Sequence, residues 1–157
     1  MFGTSSSQAH RASVRRRLEV LASMIKQRRN NPDFVALAER LSRGARSQLE
    51  LVDRIYKYVN TAFVYQKDPV GVDIFSPAEV AIDRGFGDCD EQTQLVGILA
   101  NAMGMRVKLR AVSFRNGRFS HVYPMVFADG RWVAVDVTAR RGAGHEVSGQ
   151  EVMDEPV

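Results

Sequence analysis

Gly87-Asp88-Cys89-Asp90-Glu91-Gln92-Thr93-Gln94-Leu95-Val96-Gly97-Ile98-Leu99-Ala100-Asn101-Ala102-Met103-Gly104 is the stretch on which the fold turns. Asp88 is placed to cap a helix start, an apolar run follows, and Gly104 closes it, which predicts a helix over about 89–103. Gln92, Val96, Leu99 and Met103 lie on the same helical face as Cys89. The cysteine therefore occupies the first turn and faces inward. After Gly104 the period of apolar residues changes from helical to alternating. Val107–Phe114, Phe119–Ala128 and Arg131–Thr138 read as three strands, joined by Asn116-Gly117 and Asp129-Gly130, both strong hairpin turns. A helix followed by an antiparallel meander is an α+β pattern.

The second hairpin can be counted. If Asp129-Gly130 is a two-residue turn, Phe127 faces Trp132, Met125 faces Ala134, Tyr123 faces Asp136 and His121 faces Thr138. His121 and Asp136 then share a face as diagonal neighbours, about 7–8 Å apart along the backbone, a gap that an imidazole and a carboxylate bridge. A helix packed on that face brings Cys89 beside His121. A tight Asn116-Gly117 turn pairs Val112 with His121, which puts Lys108 and Arg110 on the helix side and Val107, Leu109 and Ala111 on the other. Either the N-terminal helices cover that other face, or this turn is longer and the register shifts.

Upstream, Val14, Leu18, Leu21 and Ile25 form the apolar stripe of a helix behind a polar leader of residues 1–8, and Asn30-Asn31-Pro32 stops it. Phe34, Leu37, Ala38 and Leu41 mark a second helix ended by Gly44. A third runs from about Ser47 to Asn60, with Leu51, Ile55, Tyr58 and Val59 inward. Asp68-Pro69-Val70-Gly71 opens a loop reaching Ser76-Pro77-Ala78-Glu79, where Ser76 is the expected cap of a short helix with Pro at its first position, ending at Gly85. Beyond Ala139 the chain is polar and reads as a loosely held tail. The expected division is a basic helical segment at 1–46, a core at 47–140 and a C-terminal tail at 141–157.

The 157 residues, 45% hydrophobic and 25% charged, suit one ordinary domain and exclude collagen-like, low-complexity and wholly disordered classes. No stretch approaches the roughly 20 apolar residues of a membrane span, and the first residues have no apolar signal region. A cytoplasmic protein is the default. The formal charge of +4 is uneven: residues 1–46 carry ten bases against three acids, and residues 47–157 carry twelve against fifteen. Such a segment suits an acidic partner or simply a solvated helix face. It has no aromatic platform or recognised nucleic-acid motif, so nucleic acid is not the expected partner.

A lone cysteine makes no internal disulfide. Joined with His121 and Asp136 it makes only an incomplete zinc shell, and no acidic loop has calcium-ligand spacing, so neither metal nor cofactor is expected. Nucleophilic chemistry fits better. A thiol at a helix N-terminus beside an imidazole has its pKa lowered from about 8.5. Asp88 and Asp90 oppose this unless their carboxylates turn onto the helix start. His121 would take the thiol proton, Asp136 would hold the imidazole, and the Cys89 N–H would face an oxyanion. The bland alternative is an inert core thiol. Trp132 and Phe119 read as core residues walling the site, Tyr123 as core or as a hydrogen-bond partner of the site, and His10 and His145 as solvent-exposed.

Gly87-Asp88-Cys89-Asp90 with its apolar helix, Phe119-Ser120-His121-Val122-Tyr123, and Gly130-Arg131-Trp132-Val133-Ala134-Val135-Asp136-Val137-Thr138 resemble the transglutaminase-like superfamily over about 47–138. Tyr65-Gln66-Lys67-Asp68-Pro69 behind an N-terminal helical stretch is similar to small members encoded by bacteriophages and prophages. Val137 stands where the family usually has proline. The resemblance implies a papain-like helix against an antiparallel sheet and a Cys-His-Asp triad at Cys89, His121 and Asp136, with Tyr65 and Gln66 as candidates for a second oxyanion donor. It implies acyl transfer on a protein or peptide amide, most simply hydrolysis. The rivals are an amine-crosslinking transglutaminase and a catalytically silent virion-associated protein that docks on a phage structural partner.

Overall fold

Capping side chains set several helix boundaries in the computed structural model, which describes residues 2–69 and 75–157. Helix α1 (Phe2–Arg28) buries Leu18, Leu21, Ala22 and Ile25. It begins at Phe2, so the expected leader is helical from that residue on. Helix α2 (Pro32–Ser42) starts at Asn31, whose side chain accepts from the Asp33 N–H, and α3 (Gln48–Ala62) starts at Ser47, whose hydroxyl accepts from the Glu50 N–H. Strand β1 (Val64–Tyr65) follows. Of the loop expected after Asp68, Val70 and Gly71 lie outside the described residues.

Helix α4 (Ala78–Arg84) ends at Gly85, where φ of 82° suits glycine. Its start differs from the expectation by one residue. Pro77 is the cap and has no side-chain acceptor to make a cap bond, while the Ser76 hydroxyl accepts from the Arg84 guanidinium at 3.0 Å. Strand β2 (Phe86–Gly87) pairs parallel with β1, a two-residue contact too short to show as a sequence pattern. A Cβ at Gly87 would lie 2.9 Å from the Phe63 ring, 3.1 Å from Ala81 and 3.2 Å from Glu91, so glycine is what lets the chain enter helix α5 (Cys89–Ala102) here.

The remaining strands, β3 (Val107–Arg115), β4 (Arg118–Ala128), β5 (Arg131–Ala134) and β6 (Glu151–Pro156), form an antiparallel sheet in the order β5-β4-β3-β6. Phe127 faces Trp132, Met125 faces Ala134 and Val112 faces His121, as expected, but near the first turn the pairing is locally shifted, with Ser113 opposite Phe119. Asn116 and Asp129 have positive φ, 51° and 48°, as the first residue of a tight Asx-Gly turn requires. Strand β5 stops earlier than expected. Its last contact with β4 is the Val135 N–H to Pro124 carbonyl bond at 2.9 Å.

The layers differ from expectation in one respect. Leu109, Ala111, Val122 and Val126 belong to the main core with Leu18 and Leu21 of α1 and Leu95, Val96 and Leu99 of α5. Val112, Tyr123, Met125 and Ala134 form a second cluster on the opposite face, with Val147 against them. Helix α5 therefore packs on the face opposite His121, and Lys108 and Arg110 point away from it. The tight turn stands, and helices cover the Val107, Leu109, Ala111 face, as the first alternative requires.

The expected loose tail contains β6. Its residues pair with β3 in the register Arg110 to Asp154, where Asp154 accepts two guanidinium hydrogen bonds at 2.7 and 2.8 Å and a Lys108 contact at 2.8 Å, while Met153 enters the core. Helix α1 crosses the same strand: Arg11 meets Glu151, and Arg15 reaches Glu155 and the Asp154 carbonyl. Strand β6 is acidic because its neighbours are basic. None of the described helices is long and apolar enough to cross a membrane.

Burying Met153 alone is worth about 1.5–3 kcal/mol, and about 1 kcal/mol moves the melting temperature by roughly 2–4 °C in a chain of this size. Truncation after Gly149 should therefore lower the melting temperature by about 5 °C or more, read by circular dichroism. An unchanged transition would make residues 150–157 a dispensable tail.

Candidate active site

Helix α5 begins with a reciprocal capping box. The Asp88 carboxylate accepts from the Asp90 N–H at 2.8 Å, and the Glu91 carboxylate returns to accept from the Asp88 N–H at 2.8 Å. One turn later the Thr93 hydroxyl donates to the Val122 carbonyl at 3.3 Å. That carbonyl lies on the edge of β4 that β5 has already left. The first turn of α5 thus takes a place on the sheet edge, and Cys89 sits at the point where the two layers meet.

On β4, His121 stacks 6.4 Å from the Phe114 ring and 5.8 Å from Tyr123. Its Nε2 lies 2.7 Å from Oδ2 of Asp136, the diagonal contact that the strand register predicts. Asp136 is buried, and its other oxygen accepts from the Ala139 N–H at 3.3 Å. Cys89 and His121 border one cavity of about 100 Å³, although the body of α5 lies on the far face of the sheet. The expected helix packing on the His121 face is replaced by an approach across the open strand edge.

The other expected residues divide. Asp88 is the helix cap. Tyr65 lines a second, wider cleft with Gln92 and Thr138. Gln66 joins only through its backbone, donating to the Gly87 carbonyl at 2.7 Å, and its side chain is exposed. Tyr123 is buried behind His121. Trp132 does not wall the site: it is 37% exposed, edge-on to Phe127, with Lys108 4.8 Å over its ring. It lines neither the Cys89–His121 cavity nor the Tyr65 cleft. Nor is His10 free in solvent, since its Nε2 accepts from the Phe119 N–H at 3.2 Å.

Three contacts here were absent from the sequence reading. Thr93 holds the strand edge, Gln92 accepts from the Thr138 hydroxyl at 2.7 Å, and Arg17 of α1 approaches Asp90 at 3.4 Å while lying over the Phe75 ring. Polar residues in the first turn of an otherwise apolar helix were the available signal. Among the described residues one group of metal-type donors occurs, Asp88, Cys89 and Asp90, within 4.8 Å of one another. Its carboxylates are already committed to the helix cap and to Arg17.

The electrostatics oppose the sequence expectation. Burial pushes the Cys89 thiol up, and the Asp90 and Asp88 carboxylates push it further, against a smaller opposing effect of the Val122 backbone and Arg17. Burial also raises Asp88, to about 7, with its hydrogen bond to Glu91 and the Glu91 charge adding to the effect. Tyr65 is raised by burial and then by the Cys89, Asp88, Asp90 and Asp136 charges, which keeps its phenol a proton donor.

These features define an α+β domain with a thiol at a helix start and a paired histidine and aspartate on the adjoining sheet. The chain belongs to the transglutaminase-like superfamily, whose sequence pattern it matches over residues 35–137. No curated protein matches it. Among solved structures it is similar to a candidate protease from Parabacteroides distasonis (TM-score 0.60, 16% identity, covering 73% of this chain and 25% of that one). It is also similar to a candidate cysteine protease from Cytophaga hutchinsonii (0.56, 14%, 80% and 50%). A third is a TGase (0.53, 16%, 95% and 41%). The chain spans a quarter to a half of the length of these structures, and at these identities the likeness is one of fold.

Because Asp88 titrates higher in the folded chain, to about 7, than its ordinary value of 3.8, the folded state binds the extra proton. Stability therefore falls as pH rises from about 4 to about 7 and is level above. Asp88→Asn keeps the capping oxygen and should flatten this part of the urea-midpoint profile. With a negative neighbour removed, iodoacetamide should alkylate Cys89 faster in this variant at pH 8. Equal profiles and equal rates would show that Asp88 carries no such proton.

Proposed function

We propose that the protein is a thiol-dependent acyl-transfer enzyme acting on a protein or peptide amide, with Cys89 as nucleophile, His121 as general base and acid, and Asp136 as the group that orients the imidazole. The observation that carries this reading is the 2.7 Å His121–Asp136 hydrogen bond on the cavity that Cys89 also borders. With Nε2 bonded to Asp136, Nδ1 is the ring nitrogen left for the thiol. Burial and the Asp90 and Asp88 carboxylates hold the proton on sulfur, so it moves to His121 as the sulfur attacks the carbonyl carbon. The Cys89 N–H at the helix start and the Tyr65 phenol are the donors we assign to the developing oxyanion. Collapse expels the amine, which leaves with the proton from His121, and a thioester remains for water to hydrolyse.

The names of two structural neighbours support hydrolysis, and that of the third supports the same acylation with an amine as acceptor. Crosslinking requires an amine to compete with water at about 55 M, which needs a dry, shaped acceptor channel. A phage or prophage origin, and a place in the host cytoplasm or the virion, rest on the sequence resemblance alone.

Cys89→Ala and His121→Ala should abolish turnover. Asp136→Asn should leave the fold nearly intact and lose activity by a factor that reaches about 10⁴ in serine-protease triads. Full activity of Asp136→Asn would remove it from the proposed triad.

Incubated with a glutamine-containing protein and a labelled primary amine, the enzyme should give cleaved or deamidated product with little amine incorporated, read by mass spectrometry. Efficient incorporation at millimolar amine would make it a transglutaminase. A native protein whose Cys89 forms no adduct with electrophilic peptide probes, although the unfolded chain does, would favour the silent accessory role.

A further inference from the structure

The cavity beside Cys89 has a wall that the family pattern does not supply. Its apolar lining comes from Val14, Leu18 and Leu21 of α1, Ala111 of β3, and Phe119 and Val122 of β4. The family match begins at residue 35, so half of these six side chains lie outside it. Helix α1 is held there at several points: Arg17 against Asp90, Arg28 against Glu79, and His10 accepting from the Phe119 N–H.

We infer that this cavity is the acyl-side specificity pocket of the enzyme and that α1 tunes it for a branched aliphatic side chain of a peptide substrate. The inference rests on the thiol reading of Cys89 given above. The size argument is direct. An apolar cavity of about 150 Å³ accepts benzene, and this one is about 100 Å³, which suits the side chain of valine, leucine or isoleucine and excludes that of tryptophan.

The chemical argument concerns partners. Arg17, Asp90 and Ser120 also line the cavity, and Arg17 and Asp90 approach each other at 3.4 Å. A glutamine carboxamide seated against the six apolar side chains, away from these three, would leave its polar atoms unmet at a cost of about 1–3 kcal/mol, whereas an aliphatic group loses only water contact. Peptide-bond cleavage beside an aliphatic residue is therefore favoured over side-chain deamidation. His121 and Cys89 lie on the same cavity, so a side chain seated in it would place the neighbouring main-chain carbonyl at the sulfur.

The test uses the full chain and N-acetyl-X-glycine chloromethyl ketones and N-acetyl-X chloromethyl ketones, with X as Gly, Val, Leu, Glu or Trp. Inactivation forms a thioether to Cys89 with loss of chloride and is read by intact mass. In at least one series Val or Leu should react tenfold or more faster than Gly, Glu and Trp. Val14→Trp, which fills the pocket from α1, should reduce that ratio to about one, and Phe119→Ala should move the preference toward larger side chains. If Cys89 is labelled by iodoacetamide and by the Gly probes but X changes the rate less than twofold in both series, the pocket assignment fails and the thiol reading stands. If Cys89 reacts with neither, both fail. A preference for Val or Leu that survives Val14→Trp unchanged would overturn the role of α1.

Discussion

The early end of β5 is the constraint on which the site depends. Had β5 continued along β4 past Val135, its backbone would have taken the Val122 carbonyl, and α5 could not have reached the sheet edge. Because it stops, Thr93 bonds that carbonyl, and the departing chain carries Asp136 to His121. The two events need each other. A strand edge left unpaired inside a fold costs about 1–3 kcal/mol per buried group, and the Thr93 hydroxyl of α5 removes that cost. Gly87 makes the approach possible from the other side, since any Cβ there meets Phe63, Ala81 and Glu91 at once.

Helix stability and thiol reactivity conflict in the same turn. Acids near the start of a helix stabilise it, and this helix has Asp88, Asp90 and Glu91 there. Asp90 and Asp88 are also negative neighbours that hold a proton on sulfur. The structure relieves the conflict in part: Asp88 keeps its own proton to about pH 7, and Arg17 and Arg84 lie against Asp90 and Glu91. What results is a thiol whose proton is held on sulfur, bordering the same cavity as a histidine paired with a buried carboxylate. In the proposed mechanism such a thiol gives up its proton at the moment of attack and needs no standing thiolate.

Much of this was legible in the sequence because it is local. The Asx-Gly turns fix both hairpin registers through the positive φ of Asn116 and Asp129, and the register alone places His121 diagonal to Asp136. Capping chemistry likewise placed Cys89 in a first turn. The errors concern contacts between segments far apart in the chain. Alternation along β3 gives two faces but not which one the helices cover, since Leu109 and Arg110 become core and surface only once α1 and α5 have chosen a side. Strand β6 was missed for a related reason. Glu151-Val152-Met153-Asp154-Glu155-Pro156 resembles a solvated acidic end until Lys108 and Arg110 are seen beside it. The direction of the Cys89 shift depends on how deeply the turn is buried, which no spacing reports.

The charge asymmetry of the chain then has a physical meaning different from the one that composition suggests. A basic first third and a mildly acidic remainder look like an arm reaching for an acidic partner. In the fold, Arg11 and Arg15 meet Glu151 and Glu155 of β6, while Arg17 and Arg28 meet Asp90 and Glu79. Both α1 and β6 lie outside the stretch that matches the family, and they contact each other across the edge of the sheet. They act as one added unit, a helix and a strand joined by opposite charge. This unit closes β3 on its open side and lays Val14, Leu18 and Leu21 against the thiol cavity. Exposed ion pairs of this kind contribute little stability each, about 0–1 kcal/mol, so the apolar stripe of α1 supplies most of the adhesion. The charges fix which way the helix lies, and that orientation decides which of its side chains line the cavity.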